Sequence, residues 1–261
     1  MLKKLLKYDF KYMTRILVYM YAISILLASV TRLVCLGNNI QIINILGKIL
    51  QGFTFSAIAN VLVNTFVHII TTFIKNFYKD ESYLTHTLPV TKTQLLTSKM
   101  LASLFVTICG VLVCFLSLFI MFYSPEFMAG IKSLIQITVT NFNMSTGVFI
   151  TVLTSLLFLQ TCLIIAMAFT AIIKANTYND RRILYGLIWL FIYYTIFNFI
   201  NLGLSVLVCA VSGNLAGLFA EQVSQGALIC TIITICVSFL VETIVLCFYC
   251  NSIFNKGVNV D

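Results

Sequence analysis

The sequence predicts an all-α polytopic membrane protein with six transmembrane helices, and three observations carry that prediction. Hydrophobic residues make up 61% of the 261 positions and charged residues only 9%, with a mean hydropathy of +1.04, whereas soluble domains carry about 25% charged residues. Several apolar runs of about 20 residues or more are each long enough to cross a hydrocarbon core about 30 Å thick. The runs are continuous and rich in Leu, Ile and Phe, unlike the short alternating strands of a β-barrel.

The opening stretch, MLKKLLKYDFKYMTR, spaces Lys4, Lys7, Lys11 and Arg15 at helical intervals, with Leu2, Leu5, Leu6, Phe10 and Met13 mainly on another face. This pattern predicts a basic amphipathic helix over 1–15 lying at the membrane surface. The apolar run after it is long and lacks a small-x-small cleavage site, so it reads as a first span rather than a signal peptide. The six spans are expected at about 16–36, 53–75, 101–123, 147–173, 183–211 and 227–250, in a single transmembrane domain over 1–261.

Net charge is +8, and topology explains it better than a nucleic-acid partner. With the N-terminus cytoplasmic, the inner segments hold Lys3, Lys4, Lys7, Lys11, Arg15, Lys75, Lys79, Lys92, Lys99, Lys174, Arg181, Arg182 and Lys256. The outer segments and span ends hold only Arg32, Lys48 and Lys132. That asymmetry predicts both termini inside. The outer segments NNIQIINILGKILQG and PEFMAGIKSLIQITVTNF mix apolar and polar residues and suit helices at the outer surface, and SGNLAGLF after the fifth span suits a re-entrant or surface turn.

Catalytic and metal motifs are missing. Gly47-Lys48 is followed by Ile49, with no glycine five positions earlier, so the chain has no phosphate-binding loop. There is no HExxH, no GxSxG and no intramembrane pair of aspartates. Cys247 and Cys250 form a CxxC with no second pair or His cluster, and the nine cysteines lie almost entirely within apolar runs, where a free thiol behaves as a small hydrophobe. No catalytic, cofactor or metal site is expected in this chain.

Polar residues inside the spans are the remaining chemistry. Ser56, Asn60, Asn64, His68 and Thr72 recur every four residues in the second span, a row that drifts slowly round the helix. Thr231, Thr234, Ser238 and Glu242 lie close to one face of the sixth. His68 and Glu242 share a depth of roughly 10–12 Å from the inner boundary at 1.5 Å per residue, and they are expected to be neighbours, directly or through water. Two readings stand: hydrogen-bonded glue between helices, or a substrate path or gate. Asn198 and Asn201 in the fifth span admit a helix break, a dimer contact, a cargo contact or packing.

The inner connection over 76–100 is the most polar stretch. Pro89 pushes Leu88 into extended geometry, and Thr91 with Gln94 forms the Thr-x-x-Gln pattern of a capping box. A new helix is therefore expected to start near Thr91 and run through Lys99 into the third span. The segment FYKDESYLTHTLPVTKTQLLTSKML resembles the connection between spans two and three of ABC type-2 exporter permeases, through Glu81, Tyr83, Leu84, Thr87, Leu88, Pro89, Val90, Leu95, Leu96 and Lys99. Ser82 stands where relatives often carry glycine. The likeness extends in layout to the amphipathic start, the six spans and the short tail NSIFNKGVNVD.

The resemblance implies a cytoplasmic coupling helix between spans two and three, seated on a separate ATP-hydrolysing subunit through Asp80, Glu81, Tyr83, Leu84, Thr87, Leu88, Pro89, Val90, Thr91, Lys92 and Gln94. Asn179, Asp180, Arg181 and Arg182 in the second inner connection would make a minor contact. It further implies two ATPase copies carrying ATP and Mg, a second permease subunit forming a homo- or heterodimer, and a bacterial cytoplasmic membrane. The cargo would be an amphipathic or hydrophobic peptide or drug, with antimicrobial or toxin-like peptides favoured over sugars. The competing readings are an ion-coupled secondary transporter and a membrane sensor or scaffold that moves nothing.

Overall fold

The computed structural model describes residues 2–37, 41–79, 90–141, 144–178, 181–218 and 224–256, and for Leu2 and Asn141 the backbone alone. Among these residues there are eight α-helices and no strand: α1 Leu2–Leu36, α2 Gln41–Tyr78, α3 Lys92–Phe122, α4 Pro125–Asn141, α5 Thr146–Ala175, α6 Arg182–Val211, α7 Leu215–Leu218 and α8 Gln225–Lys256. Six of them (α1, α2, α3, α5, α6 and α8) are long and apolar enough to cross a membrane.

The helices outrun the spans read from hydropathy, and the cause is local. α1 is unbroken over 35 residues, with no joint between the expected interfacial segment 1–15 and the first span at 16. Nothing between Leu2 and Leu36 can break it, since the stretch holds neither glycine nor proline. Likewise α2 takes in most of the expected outer connection, starting at Gln41. The expected helix in the second outer segment is α4, which has Pro125 as its first helical residue, where a missing N–H costs nothing. Ser124 caps it by accepting from the Phe127 N–H at 3.0 Å.

The helices gather into two compact units, 1–134 and 135–261, with the division inside α4. In the first, α1 packs along α2 and α3, and α2 along α3. Asp9, Met13, Leu17, Tyr21, Ser24, Ala28 and Thr31 of α1 recur every three or four residues and are all buried. That spacing is the stripe one helix face presents to its neighbours. Close packing rests on small residues, as expected where lipid removes the hydrophobic drive between helices. At Gly110 a Cβ would lie 3.2 Å from the Tyr21 Oη and 3.3 Å from the Thr65 Oγ1.

In the second unit, α5 packs against α6 and α8, and α6 against α8, with α7 touching both. Ile165 through Ile173 of α5 are buried without interruption. α6 ends in a Schellman turn: Gly213 takes φ 73°, its N–H bonds the Ala210 carbonyl, and the Asn214 N–H bonds the Cys209 carbonyl at 2.9 Å. The one-turn α7 follows within the expected SGNLAGLF turn. On α6, Phe191 and Phe199 stand 69% and 71% exposed, as a lipid-contacting face would.

Candidate functional site

Among the described residues, each unit contains a buried cluster built around a carboxylate. In the first, Asp9 lies one helical turn before Met13 on the buried stripe of α1. Lys99 Nζ donates to Asp9 Oδ1 at 2.6 Å, and Ser98 Oγ donates to Asp9 Oδ2 at 2.7 Å. Both charged side chains are largely withdrawn from the surface, at 5% exposure for Lys99 and 11% for Asp9. Burial of such a pair is offset because both carboxylate oxygens receive a donor.

Lys99 sits two turns into α3, whose first turn is organised as the sequence predicts. Thr91 is the N-cap, in extended geometry, and its Oγ1 accepts from the Gln94 N–H at 3.3 Å. The capped start of α3 is thereby tied within two turns to the N-terminal quarter of α1. Of the residues expected to contact an ATPase, Val90, Thr91, Lys92 and Gln94 are described. Asp80, Glu81, Tyr83, Leu84, Thr87, Leu88 and Pro89 lie outside the described residues, as do Asn179 and Asp180 of the second connection. Arg181 precedes α6 in left-handed geometry at φ 50°, uncommon outside glycine, and Arg182 opens the helix.

Further along the first unit, side-chain hydroxyls join helix to helix. Thr31 and Thr54 meet at 2.6 Å between α1 and α2, and the Tyr21 Oη lies 3.3 Å from both the Thr65 Oγ1 and the Val106 carbonyl. Cys114 sits buried, its Sγ 3.6 Å from the Ile58 carbonyl. The polar row of α2 turns from surface to interior as it drifts: Ser56 and Asn60 are exposed, Asn64 and His68 half-buried, Thr72 buried. His68 reaches the Met13 backbone, and its Nε2 is buried with no hydrogen-bond partner among the described residues.

In the second unit, Ser238 and Glu242 lie one turn apart on α8, each 6% exposed. Asn201 of α6 joins them: its Nδ2 donates to Glu242 Oε1 at 3.0 Å and Oε2 at 3.3 Å, and also to the Phe197 carbonyl at 2.8 Å. Ser238 Oγ donates to the Asn201 Oδ1. The structure thus brings together three of the residues singled out in the sequence, Asn201, Ser238 and Glu242. Asn198 stands apart, exposed, with its Nδ2 on the Tyr194 carbonyl at 2.7 Å of its own helix. His68 belongs to the first unit and Glu242 to the second, and each has surroundings of its own within its unit.

Near the end of α5, Lys174 Nζ lies 5.3 Å from the Trp189 ring centroid and 3.4 Å from the Tyr249 Oη, joining α5, α6 and α8. Tyr178 and Tyr185 stack beside this group at 4.5 Å.

Asp9 is the buried, paired carboxylate that sequence reading passed over. It stands among lysines and was absorbed into a basic amphipathic pattern, yet it lies four residues before Met13 and eight before Leu17. A carboxylate in register with a buried apolar stripe was the available signal. The fold and these clusters define the class: a multi-pass helical membrane protein with buried polar junctions between its helices. Comparison with protein-family models, with curated proteins and with solved structures finds no match to this chain.

Proposed function

We propose that this chain is the membrane-spanning permease subunit of an ATP-driven exporter, working with a separate cytoplasmic ATPase. The observation that carries the reading is the junction at the start of α3. The segment resembling an ATPase-contacting connection leads directly into the Thr91 cap, and two turns later the Asp9–Lys99 pair fastens the same helix to α1. A force applied at 80–94 would enter a helix whose first turn is organised and whose second is cross-braced.

In this reading two ATPase copies and a second permease subunit complete the machine, and ATP with Mg stays on the ATPases. The chain lies in a bacterial cytoplasmic membrane with both termini inside, and moves an amphipathic or hydrophobic peptide or drug outward. ATP hydrolysis is not needed in this chain, which in this reading supplies the path and the docking segment. The mixture of exposed apolar side chains on α6 suits both lipid and a sister subunit.

The test is purification from native membrane in mild detergent, with mass spectrometry of co-isolated chains. A near-equimolar nucleotide-binding subunit, lost when Glu81 and residues 89–94 are replaced, supports the reading. A chain that arrives alone and moves cargo into vesicles without ATP overturns it in favour of a secondary transporter, and one that moves nothing favours a sensor or scaffold.

A further inference from the structure

The two buried carboxylates are treated differently. Asp9 receives an ammonium and a hydroxyl, one on each oxygen. Among the described residues, Glu242 receives hydrogen bonds from the Asn201 amide alone, and that amide also serves the Phe197 carbonyl. Ser238 adds one proton, divided between the Asn201 Oδ1 and the Ile235 carbonyl. The donors at this junction are thus two amide protons and one hydroxyl proton. They face two carboxylate oxygens, an amide oxygen and two backbone carbonyls, so the cluster is short of donors.

Among the described residues of the second unit, no cation makes up the difference, Arg181 lying next to Arg182 at the far end of α6. Lys256 lies fourteen residues beyond Glu242, roughly 21 Å along α8, and Arg182 nineteen before Asn201, roughly 28 Å along α6. Lys174 is engaged with Tyr249 and Trp189, and Tyr249 is itself about 10 Å along α8 from Glu242. A carboxylate inside a span takes a partner or lines a path. A proton would add one donor, while an ammonium brings three and a guanidinium five together with the missing charge.

We propose that Glu242, Asn201 and Ser238 form a binding site for the cationic end of an amphipathic ligand, an ammonium or guanidinium group on an apolar body. Glu242 supplies the charge, with Asn201 holding both carboxylate oxygens in one orientation and Ser238 fixing the Asn201 amide. The site lies shallow beneath the protein surface: Val241 and Val245 flank Glu242 on α8 and are both more than half exposed, and Asn198 stands exposed one turn before Asn201. These side chains offer the apolar body and a polar rim. That the ligand is exported cargo rests on the function proposed above; the binding itself does not.

The experiment uses the full chain in nanodiscs of zwitterionic lipid, with empty nanodiscs as blank, and a fluorophore-labelled hexylguanidine against its neutral hexylurea counterpart. Fluorescence polarisation is expected to give at least tenfold tighter binding of the guanidine to the wild-type chain. Glu242→Gln, which keeps a hydrogen-bonding side chain of the same shape, is expected to erase that preference with an unchanged thermal midpoint. Equal binding of the two probes by the wild type overturns the proposal without reference to any variant, as does a preference that survives in a folded E242Q. No ATPase enters the assay, so a guanidine preference in a chain that never co-purifies with an ATPase would sink the exporter reading and leave the site standing.

Discussion

Replacing Lys99 with methionine should be among the most damaging single changes in the first unit, while replacing both members of its ion pair should be nearly harmless. At the observed 2.6 Å, the gross attraction between the two charges is about 6 kcal/mol for an effective dielectric near 20. Withdrawing each ion from water costs several kcal/mol, so the intact pair contributes little net stability. Removing Lys99 leaves the Asp9 carboxylate buried without its ammonium, and removing Asp9 takes that carboxylate from Lys99, at a cost of about 3–5 kcal/mol. Lys99→Met and Asp9→Leu should each lose stability on that scale, and the double variant should return to within about 1 kcal/mol of the wild type or exceed it. Unfolding in mixed micelles by rising dodecyl sulfate, followed through the single tryptophan, Trp189, and by circular dichroism, gives the four free energies of the cycle. A coupling energy under about 0.5 kcal/mol, or a single variant as stable as the wild type, would refute the reasoning.

Two further outcomes follow from local geometry. Thr91→Ala removes the acceptor for the Gln94 N–H and should cost about 1 kcal/mol at the start of α3, read as roughly fivefold faster amide exchange at Gln94; unchanged protection there would exclude the cap. Gly110→Val drives methyl groups into the Tyr21–Thr65 contact and should destabilise by about 1–3 kcal/mol in the same unfolding assay. Gly52→Val, where a Cβ meets nothing within 4 Å, is the matched control and should cost less than half as much.

What could be read in advance was governed by range. Apolar runs long enough to span a bilayer stand out whatever their neighbours do, so all six long helices coincide with expected spans. The Thr91 cap was equally legible because its donor and acceptor lie three residues apart. Helix ends were less so: hydropathy marks where the chain enters lipid, but α1 runs unbroken from Leu2 to the turn at Gly37, and α2 begins at Gln41, well before the expected span. Partnerships between helices were the least legible. Glu242, Ser238 and Asn201 each announced themselves as polar residues in apolar surroundings. That Asn201 spans the carboxylate and the hydroxyl depends on the rotation of α6 against α8, which no local pattern specifies. Asp9 failed for the opposite reason, since a local pattern of lysines offered it a sufficient explanation.

The pairing of Asp9 with Lys99 also imposes an order of events on synthesis. The two residues are 90 positions apart, so at about 5–20 residues per second the ribosome delivers the lysine roughly 5–20 s after the aspartate. For that interval the first helix has emerged with its acid lacking the base and the hydroxyl that will pair with it. The contact that fastens α1 to α3 therefore cannot form until the start of α3 has emerged. The first and third helices are fastened to each other only then, which makes the earliest part of the chain one of the later parts to settle.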